Sequence, residues 1–225
     1  MILFENVYKK YGKSICALED INFQINEGDF VFIIGPSGAG KTTLTKLLLR
    51  EEKPSSGRVV IDGQDLSYLR RGQVSKLRTS IGVVYQDFRL LESKNVYDNI
   101  KFALEIQGHS RSYMKKRVKE LIEMVDLVGK EKSMPNELSG GEKQRTSMAR
   151  AMANNPKILI ADEPTGNLDP ITAEEIVNSL VKINSLGTTV LMITHSKDTV
   201  DKLKKRVIRL ENGRIVSDEE EGAYI

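Results

Sequence analysis

Cysteine is almost missing from this 225-residue chain: Cys16 stands alone, so no internal disulfide can form. A lone thiol fits a reducing compartment, and Cys16 itself is expected as a small buried core residue. Long hydrophobic runs are missing too. No apolar stretch approaches the roughly 20 residues that span a bilayer. Residues 1–12 lack the apolar centre of a signal peptide. The chain is therefore expected on the cytoplasmic side, reaching a membrane only through something that holds it there. An excess of one charge is also absent. Lysine and arginine number 34 against 31 acids, a net +3, which leaves no basic footprint for nucleic acid. What remains is ordinary for a soluble globular protein: 40% hydrophobic and 29% charged residues. The length suits one substantial domain or two small ones.

Against that plain background one stretch stands out. Residues 35 to 43 read Gly35-Pro36-Ser37-Gly38-Ala39-Gly40-Lys41-Thr42-Thr43, directly after the apolar run Phe30–Ile34. A buried strand feeding a glycine-rich loop that opens a helix is the setting in which such a loop cradles phosphates. Gly35, Gly38 and Gly40 let the backbone curl so that successive N–H groups converge on phosphate oxygens. The helix N-terminus adds the positive end of its dipole. Lys41 reaches the terminal phosphates, and the Thr42 hydroxyl can ligate Mg²⁺. The spacing predicts binding of a nucleoside triphosphate.

The rest of the chain supplies a frame for that loop. Ile2, Phe4 and Val7 predict a strand, with residues 8–12 as its turn. Ile21, Phe23 and Ile25 alternate with Asn22 and Gln24 in a second strand. Pro54-Ser55-Ser56-Gly57 reads as a loop before a strand over 58–61, and 81–85 as another short buried strand. From Tyr97 to about Val128 the pattern is helical. Met114, Val118, Leu121, Ile122 and Val125 share one face, and Lys115, Lys116, Arg117 and Lys119 lie opposite as a solvated face. Strands return at 158–161, 189–193 and 207–210 with helix-like segments between them, as in βα units on a parallel sheet. The acidic run 218–221 reads as a frayed end. A helical insertion thus divides a nucleotide-binding α/β core.

Two further stretches carry chemistry. Ile158–Ala161 is an apolar strand that ends in the paired acids Asp162 and Glu163. Buried strands end in paired carboxylates where a cation or a proton transfer uses them. Beside the glycine loop, Asp162 would hold Mg²⁺, mostly through water, and Glu163 would polarise the attacking water. In Leu138–Arg145, Ser139 can N-cap a helix running through Met152, and Glu142 completes a capping box. Gly140 and Gly141 add backbone donors at the same helix end, making a second anion site.

Taken together, Gly35–Thr43, Gln86, Leu138–Gln144, Ile158–Glu163, Asn167-Leu168-Asp169 and His195 resemble, in order and spacing, the ATP-binding cassette (ABC) ATPases over the whole chain. The resemblance implies an α/β P-loop NTPase fold with a mostly parallel core sheet, an N-terminal antiparallel β subdomain and a helical insertion. Residues 1–86 and 154–225 would form the core of a single domain, and 87–153 its helical part. It implies Mg²⁺-dependent ATP hydrolysis by a head-to-tail homodimer, each ATP lying between one subunit's glycine loop and the other's 139–142 stretch. Ser139 and Gly141 would then contact the γ-phosphate, with Gly140 and Glu142 beside them. Tyr11 would stack on adenine, Gln86 would sense Mg²⁺ and the attacking water, and His195 would contact the γ-phosphate. Asp169 would belong to a loop that signals between the two sites.

A lone cassette of this family works through a separate membrane partner, for which Leu90, Leu91, Val96, Tyr97 and Ile100 are candidate contacts. Residues 50–54, 84–91, 96–100 and 206–211 resemble the cell-division branch, whose partner is the integral membrane protein FtsX. That branch drives no solute. It controls a cell-wall hydrolase from the cytoplasmic face of the membrane. Sister branches for lipoprotein release and macrolide export share much of this pattern and stay open. A soluble cassette acting on DNA or ribosomes fits less well, and no nucleic-acid partner is expected.

Overall fold

The computed structural model describes residues 1–12 and 15–224. The chain begins with an antiparallel hairpin, β1 (Ile2–Tyr11) against β2 (Ile15–Ile25). It then leaves for a second sheet as β3 (Phe30–Ile34) and passes through α1 (Lys41–Leu48). It returns to the first sheet as β4 (Ser56–Ile61) and the short β5 (Gln64–Asp65), giving the order β2-β1-β4-β5. Alternation explains this sheet. Ile2, Phe4 and Val7 face the core together with Ile21, Phe23 and Ile25, and the paired Phe4 and Phe23 rings stack at 4.6 Å.

Two expectations fail here for one reason. β1 continues through residues 8–11 because β2 lengthens the ladder, with Tyr11 opposite Ile15 and Lys10 opposite Cys16. The start of β2 lies on the surface, Ile15 being 64% exposed, so Cys16 is exposed rather than buried. The loop at 54–57 is also shorter than its composition suggests, since β4 already begins at Ser56.

After α2 (Arg71–Thr79) the second sheet is completed by β6 (Ile81–Tyr85) and then, beyond the helical insertion, β7 (Ile158–Asp162) and β8 (Thr189–Ile193). β9 (Arg206–Glu211) and the antiparallel edge strand β10 (Arg214–Glu219) close it, in the order β10-β9-β3-β8-β7-β6. Parallel strands are buried on both faces, which is why β3 and β8 are buried at every position. Phe30, Phe32, Ile34, Leu159, Ala161, Val190 and Met192 pack on a helical layer. That layer comprises α3 (Val96–Ile106), α4 (Arg111–Met124), α5 (Gly140–Ala151) and α6 (Pro170–Ser185). Val31, Ile33, Ile158, Ile160, Leu191 and Ile193 face the other way, onto α1 and the antiparallel sheet. A last helix, α7 (Lys197–Leu203), joins β8 to β9.

The predicted helical region divides at Gly108, whose φ is 71°, and Ser110 caps the second helix through the Tyr113 amide. The apolar face of α4 is buried as its spacing predicts. Among the candidate partner contacts, Val96 and Ile100 are core residues, whereas Leu90, Leu91 and Tyr97 are half-buried. The acidic run is not a frayed end. Asp218 and Glu219 belong to β10, and the Arg206 guanidinium donates to both Asp218 oxygens at 2.8 Å. Among the described residues, no helix is long and apolar enough to cross a membrane.

Candidate functional site

Four parallel strands deliver their C-terminal ends to one cavity of about 750 Å³, the place where open α/β sheets bind ligands. β3 leads into residues 35–43, all of which line it. β6 delivers Gln86, β7 delivers Asp162 and Glu163, and β8 leads through Thr194 to His195. The volume suits a nucleotide-sized ligand.

The loop's backbone demands its glycines. Gly35 has φ 145°, and a Cβ there would lie 2.1 Å from the Leu210 carbonyl oxygen. Gly40 N-caps α1 at φ 107°, wedged against Ala17 and Leu18 of β2, with no side chain capping the helix. The first-turn amides of α1 are thus left to whatever the loop surrounds. Lys41 Nζ donates to the Gly35 and Pro36 carbonyls at 2.6 and 3.0 Å, which curls its ammonium over the loop.

Across the cavity the acids divide into two environments. Burial, and then the neighbouring Glu163, push the Asp162 carboxyl above the usual aspartate range. Glu163 sits in the left-handed region at φ 49°, and its amide donates to the Ile193 carbonyl at 2.9 Å. That turn aims its carboxylate at His195: Nδ1 lies 2.8 Å from Oε1, and the His195 amide donates to Oε2 at 3.3 Å. Thr42 and Asp162 offer a hydroxyl and a carboxylate, the hard oxygen donors that suit Mg²⁺, with the remaining ligands coming from phosphate and water. Among the described residues no group of three or more His, Cys, Asp or Glu side chains is placed to hold a metal ion.

Gln86 is held by Asn167, a motif residue to which the sequence assigns no role at the site. Asn167 Nδ2 donates to the Gln86 carbonyl at 3.1 Å, and Gln86 Nε2 donates to Asn167 Oδ1 at 3.4 Å. Ala17, Arg89 and Tyr224 also line the cavity. The Arg89 guanidinium lies 3.6 Å from the centre of the Tyr85 ring. Nothing in local sequence marks Tyr224. Its backbone amide reaches Asp201 Oδ1 at 2.7 Å, a contact that only the fold creates.

The remaining predicted site residues lie elsewhere. Tyr11 is outside the cavity lining, its ring centre 4.9 Å from Lys9 Nζ, while Ala17 of the neighbouring strand lines the wall. Ser139, Gly140, Gly141 and Glu142 open α5, and Asp169 caps α6 through the Ile171 and Thr172 amides. Hydrogen bonding, first from the Thr172 side chain and then from its amide, holds the Asp169 carboxyl below its usual range. The two helix ends touch. A Cβ on Gly140 would lie 3.1 Å from Leu168 Cδ2, and one on Gly141 would lie 2.4 Å from Thr172 Cγ2. They form a second patch that does not line the cavity.

Comparison with known proteins adds three findings. Residues 18–166 match the family model described as "ABC transporter". The cell division ATP-binding protein FtsE of Bacillus subtilis is 49% identical over 224 residues, covering 100% of this chain and 98% of that protein. The FtsE protein of Mycobacterium tuberculosis is 51% identical over 225 residues, at 100% and 98% coverage. The methionine import ATP-binding protein MetN of Geobacillus kaustophilus is 47% identical over 98% of this chain but only 66% of its own length. The dimeric post-hydrolysis structure of the cassette MJ0796 with ADP and Pi superposes with a TM-score of 0.88 at 36% identity, covering both chains fully.

Proposed function

From the premise that this chain belongs to the ABC transporter family, as an ATP-hydrolysing subunit of the FtsE type, we propose that the cavity hydrolyses ATP with Glu163 as the general base. The observation that carries this reading is the grip of His195 on the Glu163 carboxylate within a cavity also lined by Lys41, Thr42 and Asp162. The loop amides and Lys41 hold the β- and γ-phosphates. Thr42 and Asp162 would hold Mg²⁺, with Gln86 completing its environment, and the ion would supply positive charge against the phosphate oxygens. Glu163 takes the proton of the attacking water, and His195 orients that carboxylate and contacts the γ-phosphate.

The patch at Ser139, Gly140, Gly141 and Glu142 serves a second copy of the chain. In a head-to-tail homodimer it meets the γ-phosphate on the partner's loop, with Asp169 beside it. MJ0796 forms a dimer, which supports that arrangement. ATP then favours the closed dimer by bridging it, and hydrolysis removes the bridge. Tyr11 approaches adenine in the same complex.

The chain further acts with an FtsX-like integral membrane protein, on the cytoplasmic face, to control a cell-wall hydrolase during division. The FtsE relatives support this branch, since they match along their whole length. A second reading, a subunit for methionine import, rests on the MetN match. A groove of about 320 Å³ lined by Leu91, Phe102, Ile106 and Arg150, with Ile106 64% exposed, suits an apolar partner helix in either case.

Glu163→Gln tests the chemistry. ATP binding is retained while hydrolysis falls by at least about a hundredfold, because only the water-activating carboxylate is neutralised. Turnover at the wild-type rate would remove Glu163 as base. The same variant, with Mg-ATP, used to capture partners from detergent-solubilised membranes, separates an FtsX-like protein from an import permease.

A further inference from the structure

Helix α5 carries two side chains that reach away from its anion-binding end, and both grip the backbone around Gln86. Gln144, fully buried, donates through Nε2 to the Tyr85 carbonyl at 3.3 Å and to the Pro164 carbonyl at 2.6 Å. Arg150, in the last turn, donates through one terminal nitrogen to the Arg89 carbonyl at 2.6 Å and through the other to the Phe88 carbonyl at 3.0 Å. Three carbonyls flanking Gln86 are therefore anchored to a single helix.

The Arg150 arrangement is costly, which marks it as more than surface decoration. Phe88 and Arg89 both occupy the left-handed region, at φ 59° and 48°, and neither is glycine. Arg150 pairs with no carboxylate among the described residues, and burial pulls its guanidinium below the usual arginine range. A half-buried cation held by two carbonyls of a strained loop fixes that loop's shape. Residues 140 to 150 of α5 rise about 15 Å, so the helix links the Ser139–Glu142 patch at one end to the Gln86 segment at the other.

We propose that Arg150 is a positioning residue: it sets the backbone that presents Gln86 to the ATP site, and it makes α5 a rigid link from the Ser139–Glu142 end to that site. The link rests on the catalytic reading given above. Arg150 also lines the groove with Leu91, Phe102 and Ile106, so whatever enters that groove presses on the same guanidinium.

The test measures steady-state kcat and KM for Mg-ATP on the full chain. Arg150→Gln lowers kcat between about ten- and a hundredfold, the cost of a misplaced group, with KM within about twofold of wild type. Arg150→Lys recovers part of kcat, since an ammonium can serve one of the two carbonyls. Arg117→Gln is the control. Arg117 donates to the Met152 and Ala153 carbonyls at the same helix end without touching the Gln86 segment, and its loss leaves kcat unchanged. Unchanged kcat in Arg150→Gln overturns the proposal, as does an equal loss in Arg117→Gln. If Arg150→Gln does not fold, Arg150→Lys decides: a lower kcat at constant KM supports positioning, and wild-type kinetics overturn it. Glu163→Gln in the same assay keeps the two readings apart. If it is inactive while Arg150→Gln is normal, only this inference fails. If it is active, the catalytic assignment fails.

Discussion

Two helix ends in this molecule are built from similar glycine-rich sequence, yet they meet anions in opposite ways. α1 begins at Gly40 in a left-handed conformation, with no capping side chain and no acid in its first turn. α5 begins at Ser139, whose hydroxyl accepts from the Glu142 amide at 3.3 Å, while Glu142 Oε2 accepts from the Ser139 amide at 2.8 Å. Lys130 sits 2.9 Å from the other Glu142 oxygen, and Lys130 together with the Ser139 amide holds that carboxyl below its usual range. The first end leaves its donors for an outside anion. The second already carries one. An anion approaching the second end would face a carboxylate that Lys130 already pairs. Sequence spacing alone makes both ends look like anion sites. Capping chemistry separates a primary site from a complementary one.

The largest effect that could break this comparison comes from Lys41→Ala. Removing the ammonium that curls over the loop lowers kcat/KM for ATP by about a hundred- to a thousandfold. Nucleotide titration of the monomeric chain should show the loss directly. Ser139→Ala gives the intermediate effect. It removes the cap, at about 1 kcal/mol, and lowers Tm by about 2–4 °C. ATP affinity of the monomeric chain is unchanged, while turnover of the dimer falls. If Ser139→Ala weakened monomer binding as much as Lys41→Ala, the two ends would be equivalent and the distinction would collapse.

The smallest effect sharpens it. Asp162 stands beside the first end with its carboxyl raised by burial and by Glu163. A carboxyl raised on folding leaves stability intact below its unfolded pKa and reduces it as pH climbs through the folded value. Without nucleotide or Mg²⁺, Asp162→Asn therefore raises Tm at neutral pH, on the order of 2 °C, and the gain vanishes in acid. Thermal melts at two pH values check it. A gain that persisted in acid would locate the strain elsewhere.

Much of this was legible in the sequence, for identifiable reasons. The β3, β6 and β8 boundaries followed from short apolar runs bounded by turn signals, because buried parallel strands leave no room for polar residues. The start of α5 followed from its capping box. Placing Asp162, Glu163 and Lys41 in one cavity followed from strands that end in charge beside a glycine loop. What stayed hidden depends on distant partners. α2 has only Val74 and Leu77 as apolar anchors, and part of its hold is Arg78 donating to the Leu49 carbonyl at 2.9 Å. Cys16 reads as core until its exposed place at the start of β2 is seen. The roles of Asn167, Arg150 and Tyr224 are contacts across long sequence separations, which composition and periodicity do not encode.

The acidic stretch at 218–221 has a different consequence. β10 is the outermost strand of the six-stranded sheet, and its exposed positions are Arg214, Val216, Asp218 and Glu219, three of them charged. An unpaired strand edge is a template for another molecule's strand, and fixed charge along it makes such docking repulsive. The Arg206–Asp218 pair pins that charged strip against β9. Charge on these few residues thus disfavours edge-to-edge pairing of one copy with another.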